Sequence, residues 1–126
     1  MPSGLRPYTL APLNRGCAQE IIFEAQNSDG TWQDKTNKKL YLTAKTKPYD
    51  DDLDDSDAVF KVEGAIPNQN EKGRVVFSLS EEQTFLDPTV LYFCDIVETD
   101  MDGSNAHRLF IGNFNIIGGA NNAQAS

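Results

Sequence analysis

From Tyr8 onward the chain is a succession of short β-branched and aromatic runs separated by turn residues, and no stretch sustains a helical period of apolar positions. Lys39 to Lys45 shows the pattern most clearly. Leu40, Leu42 and Ala44 fall on one face, and Lys39, Tyr41, Thr43 and Lys45 on the other, which is the period of a half-buried strand. The same reading predicts strands over 8–13, 18–25, 57–63, 73–79, 90–99 and 107–117. Asn14-Arg15-Gly16, Asn27 to Gly30 and Asp34 to Lys38 read as turns, and Asp102-Gly103 folds the last two strands into a hairpin. In the Tyr92 strand, Tyr92, Cys94 and Ile96 belong on the core face and Phe93, Asp95 and Val97 outward. The opposite phase would bury Asp95.

One helical signal interrupts the strands. Ser80 can cap and Gln83 can reach back to it, a capping-box turn that Asp87-Pro88 keeps short. About seven strands with turn signals between them predict an all-β fold, an antiparallel β-sandwich with one short helical turn. Residues 1–12 are expected as an N-terminal arm and first strand, 13–117 as the sandwich, and 118–126 as a tail without an apolar anchor.

Length and charge narrow the function classes. At 126 residues the chain is expected to form one domain with one core. The formal net charge is −8, from 11 basic and 19 acidic residues. Such a surface repels phosphate backbones and anionic lipid, so neither nucleic acid nor membrane is an expected partner. The N-terminus has no apolar run of the kind that directs secretion, and a reducing compartment with free thiols at Cys17 and Cys94 is the matching expectation.

The order of the motifs resembles a known family. Arg15-Gly16 is followed by the Glu20–Phe23 strand, the Asp29-Gly30 turn and the Leu40–Ala44 strand. Then come Gly73-Arg74-Val75 with Leu79-Ser80, and Thr84 and Pro88. Tyr92-Phe-Cys-Asp95-Ile96, Asp102-Gly103 and Gly112-Asn-Phe114-Asn-Ile116 close the series. Over residues 13–117 this resembles small immunoglobulin-like modules of tailed phages, similar to the N-terminal domain of baseplate upper proteins. Each motif alone is ordinary strand and turn chemistry, and the information lies in their order. The resemblance implies an immunoglobulin-like sandwich serving as a non-enzymatic virion structural protein: a tail, baseplate or neck adaptor, or a capsid decoration. Its implied partners are other virion proteins (capsid, neck or tail subunits), with the chain present in many copies or as a homo-oligomer. Its implied location is the virion, after synthesis in the host cytoplasm. A surface receptor- or carbohydrate-binding module is the alternative, and it calls for Trp32 and Tyr41 or Tyr49 exposed beside the acidic loop.

Few residues suggest chemistry. Six aspartates crowd positions 50–57, and Asp50, Asp52 and Asp54 are weak candidates for a Ca²⁺ site, against the simpler reading of a solvated acidic loop or a docking surface for a basic partner. Glu98-Thr-Asp100-Met-Asp102-Gly103 copies the start of an EF-hand loop, but Leu109 stands where the closing carboxylate belongs, so a hairpin turn is expected. His107 is the single histidine, and Cys17 and Cys94 lack a metal or redox spacing. No catalytic residue and no cofactor are expected. Leu5, Tyr8, Leu10, Trp32, Phe93 and Phe110 are the candidate partner contacts. Trp32 either covers the sandwich edge or anchors a partner. Phe93 and Phe110 are expected as an outward cross-strand pair.

Overall fold

A computed structural model describes residues 8–47 and 56–118, and it is an all-β sandwich. The strands are β1 (Tyr8–Thr9), β2 (Leu13–Asn14), β3 (Gln19–Glu24), β4 (Lys38–Lys45), β5 (Phe60–Glu63), β6 (Arg74–Leu79), β7 (Leu91–Asp100) and β8 (His107–Ile117), with the single-turn helix α1 (Glu81–Thr84) between β6 and β7. One sheet runs β1-β8-β7-β4-β5, with β2 also on β8, and β3 and β6 form the second. The β3–β6 pair and the β5-β4-β7-β8 sheet are the two layers of the sandwich, with the core between them. Residues 1–7, including Leu5, lie outside the described residues, as do Asp50, Asp52, Asp54 and the expected tail from residue 119.

The N-terminal segment departs from the antiparallel expectation. Both β1 and β2 pair with β8 in parallel, while the other strand pairs are antiparallel. It is also two short strands rather than one over 8–13. Pro12 has no N–H to donate to a ladder and marks the break. Leu10 N–H donates to the Asn113 carbonyl before the break, and Arg15 N–H donates to the Ile117 carbonyl after it. The strand expected over 57–63 begins only at Phe60. Asp57 is instead held in the preceding turn by Lys47, 2.6 Å from its carboxylate.

The core follows the alternation. Leu40, Leu42 and Ala44 of β4, Val75, Phe77 and Leu79 of β6, and Tyr92, Cys94 and Ile96 of β7 are all buried. Phe114 stacks on Tyr92 with centroids 5.6 Å apart and on Phe60 at 6.2 Å. The capping box forms as expected: Gln83 N–H donates to Ser80 Oγ, and Ser80 N–H to Gln83 Oε1. Thr84 then ties the helix to the β2–β3 turn through its hydroxyl on the Cys17 carbonyl. Two glycines mark close approaches. A Cβ on Gly73 would lie 2.2 Å from the Ala25 carbonyl oxygen, and one on Gly64 would lie 2.3 Å from Val75 Cγ1.

Candidate functional site: the outer face of the large sheet

A single extra residue decides what the outer face carries. Ile96 pairs with Phe110 but Val97 pairs with Arg108, so Leu109 is a β-bulge in β8. Beyond a bulge the alternation changes phase. Arg108 therefore lands on the outer face beside Asp95, and His107 on the core face beside Glu98.

On the outer face Arg108 Nε donates to Asp95 Oδ2 at 2.9 Å. The two side chains are only 7% and 14% exposed. The expected outward phase of Asp95 holds, but its carboxylate is sheltered and paired. Ile111, opposite Asp95, is buried on the same face. Nearby, Tyr41, Thr43, Lys45, Lys61, Asp95 and Val97 are among the residues lining a cleft of about 310 Å³. The Lys61 ammonium sits 4.7 Å from the centroid of the Tyr41 ring, a cation–π contact that covers that aromatic face. The cleft thus presents hydroxyls, ammonium groups and one engaged carboxylate.

A second charged group closes the end of the core. Glu98 is 4% exposed. Lys35 Nζ lies 2.6 Å from its Oε1, off the hydrogen-bonding direction. His107 Nε2 is 3.2 Å from Oε2, and its Nδ1 is 3.2 Å from the Asn105 carbonyl. Next to it Lys38 holds Asp100 at 2.5 Å. That hydrogen bond, with the accompanying charge attraction, raises the Lys38 pKa, and with a further bond from Asn105 it lowers that of Asp100. Residues 101–106 are the turn of the β7–β8 hairpin, with Gly103 at φ 87°. The carboxylates that resembled EF-hand ligands are engaged there: Asp100 by Lys38 and Asn105, and Asp102 by Ser104.

Phe93 and Phe110 do not come together. Phe93 lies on the outer face opposite Asn113 and Lys45, whereas Phe110 lies opposite Ile96 on the core face and meets Phe23 edge-on at 6.5 Å. The expected outward Phe93–Phe110 pair therefore does not form, because their register positions on β7 and β8 have opposite phase. Leu10 packs on its own core. Trp32 is half-buried, bridges to Gln26 and lies against Gly73. Tyr8 is in β1. Cys17 is exposed and Cys94 buried, both unpaired. Burial, with the Asp95 charge beside it, pushes the Cys94 thiol up to about 12.

Two features escaped sequence reasoning. The first is a turn used four times, Asp29-Gly-Thr31, Asp34-Lys-Thr36, Asp87-Pro-Thr89 and Asp102-Gly-Ser104. In each the aspartate accepts from both the backbone N–H and the hydroxyl two residues on. The repeated Asp-x-Ser/Thr spacing was the available signal. The second is the set of exposed apolar side chains, Phe85, Met101, Ile117, Ile22 and Leu91 among them. Phe85, 61% exposed, lies under the Arg15 guanidinium at 4.0 Å.

Among the described residues, no group of three or more histidine, cysteine, aspartate or glutamate side chains is placed to hold a metal ion, and no helix is long and apolar enough to cross a membrane. Compared with known protein families and with curated proteins, the chain matches no family model and no curated sequence.

Proposed function

We propose that this chain is a non-enzymatic structural protein of a tailed-phage particle, an adaptor in the tail, baseplate or neck or a decoration of the capsid, acting through protein–protein contacts. The observation that carries this reading is the motif order across residues 13–117, on a chain that folds as an all-β sandwich. Exposed Phe85, Ile117 and Leu91 offer apolar contact area. Arg15 links the first two, through its ring contact with Phe85 and its backbone bond to the Ile117 carbonyl. Many copies on a symmetric particle turn weak contacts of this size into stable attachment. Its partners are then capsid, neck or tail subunits, and its place is the virion, after synthesis in the host cytoplasm. Mass spectrometry of purified particles with copy counting is the test. Recovery in stoichiometric amount supports the reading, and absence from particles while the protein is abundant in the infected cell ends it.

The second reading, a receptor- or carbohydrate-binding module of the particle, draws on the outer-face cleft with its Tyr41 ring, Thr43 hydroxyl and Asp95 carboxylate. It is the weaker one because Lys61 occupies a face of Tyr41 and Trp32 is half-buried. Specific glycan binding that disappears in Tyr41→Ala would reverse the preference.

A further inference from the structure

Among the described residues, the smaller sheet is open along β3. Val76 of β6 commits both its N–H and its C=O to Ala65, at 2.8 and 2.9 Å, and so gives neither to Ile22, which it faces. Ladder hydrogen bonds alternate along an antiparallel pair. Glu20, Ile22 and Glu24 therefore turn their backbone N–H and C=O groups away from β6, and among the described residues no strand receives them. Their side chains are exposed as well, Ile22 at 43%.

The core is unfinished at the same edge. Val75, Phe77 and Leu79 of β6 are 0–2% exposed, yet Phe23 and Ile21, directly opposite the first two, are only half-buried. Phe23, Glu24 and Leu109 help line a groove of about 280 Å³. A strand edge without bulge or proline, and with no neighbour among the described residues, is a template for another strand, and two strands alone make a marginal sheet.

Charge selects the occupant. Pairing with a second copy of β3 about Ile22 would set Glu20 against Glu24 of that copy, like charges directly opposite. Arg74 partly offsets Glu24 at 3.6 Å, while Glu20 has no ion pair among the described residues. We propose that β3 is a strand-addition site for an extended segment of another protein that carries lysine or arginine on either side of an apolar residue at alternate positions. Its basic side chains would lie over Glu20 and Glu24 and its outward apolar one over Ile22. The residues between would cover Ile21 and Phe23. Backbone pairing supplies affinity and the alternating side chains supply selection. The inference does not depend on the particle assignment.

The experiment uses the full ¹⁵N-labelled chain titrated with a capped peptide, Ser-Lys-Ile-Val-Ile-Lys-Ser, beside a control with glutamate for both lysines. Expected are amide shifts and slowed hydrogen exchange centred on Glu20, Ile22 and Glu24. Binding should weaken at least about tenfold with the control peptide, with the Glu20→Lys/Glu24→Lys variant, and with peptide N-methylated on the edge-facing amides. Dispersed amide spectra verify that the variant folds, and Glu20→Gln/Glu24→Gln should fall between it and wild type. Absence of shifts at millimolar peptide, shifts centred on another face, or equal binding of both peptides would overturn the proposal. Particle mass spectrometry bears on the virion reading alone, so the two can fail separately.

Discussion

The Tyr92 hydroxyl accepts a hydrogen bond from the backbone N–H of Asp87 at 2.9 Å, five residues upstream. The ring itself is buried and stacks on Phe114. One side chain thus fills the core and pins the Asp87-Pro88 corner that feeds β7. A buried tyrosine whose hydroxyl bonds back to the backbone a few residues upstream has the geometry of a tyrosine corner, and Cys94 lies two residues on.

Tyr92→Phe keeps the stack and removes the pin. Leaving the Asp87 N–H without its partner should cost about 1–2 kcal/mol, read as a lower urea midpoint with an unchanged m-value. Tyr92→Ala, which also opens a cavity, should cost about 3–5 kcal/mol. Equal stability of Tyr92→Phe and wild type would show that the hydroxyl holds nothing.

Asp95 and Arg108 should behave as one unit. Arg108→Ala removes the guanidinium from a sheltered carboxylate and is expected to cost about 3–5 kcal/mol. Asp95→Leu/Arg108→Met should recover most of that loss, because two desolvated charges are then replaced by apolar packing. A double-mutant cycle by chemical denaturation measures the coupling, and simple additivity would contradict it.

Gly73 and Gly64 tolerate no side chain. At Gly73 the obstacle is backbone, the Ala25 and Gln33 carbonyls, so the strain cannot be relieved by a rotamer change. Gly73→Ala should lose at least about 1–3 kcal/mol. Gly30→Ala meets no neighbour and suffers only from its positive φ, so thermal melts should rank it the milder of the two.

Acid should loosen the turns. Hydrogen bonds from Thr31, Thr36, Thr89 and Ser104 hold Asp29, Asp34, Asp87 and Asp102 below the ordinary value of 3.8, and the Lys47 and Lys38 contacts do the same for Asp57 and Asp100. A depressed folded pKa means that the unfolded chain binds more protons near pH 3.8. Stability is then complete above that value and is lost as pH falls through the lower folded values. Urea midpoints should be flat above about pH 5 and drop below pH 4. Asp34→Asn/Asp87→Asn/Asp102→Asn keeps an acceptor in each turn but cannot titrate, so its acid limb should be shallower. Lys38, raised above 10.5, works in the opposite sense, and its contribution should be lost as pH rises through its folded value.

The two thiols should separate by reactivity. An aromatic disulfide reagent at pH 8 should label Cys17 at once and Cys94 only as the chain unfolds, since thiolate is the reacting species and burial holds Cys94 protonated. Rapid labelling of both would mean that β7 opens readily in the native state.

What the sequence alone determined is what acts over a few residues. Period-2 alternation placed Leu40, Leu42 and Ala44 inside and set the phase of Tyr92, Cys94 and Ile96. Turn chemistry located the hairpin at Gly103 and the Ser80–Gln83 capping box. The tertiary structure decided the rest. The Leu109 bulge is a one-residue mismatch set by which residues pair across two strands, and it carries Arg108 to Asp95 and His107 to Glu98. The parallel pairing of β1 and β2 with β8, and the edge of β3 that no strand among the described residues covers, follow from which strands become neighbours. Those neighbours lie many residues apart, so the choice rests on burying one shared core rather than on any local motif.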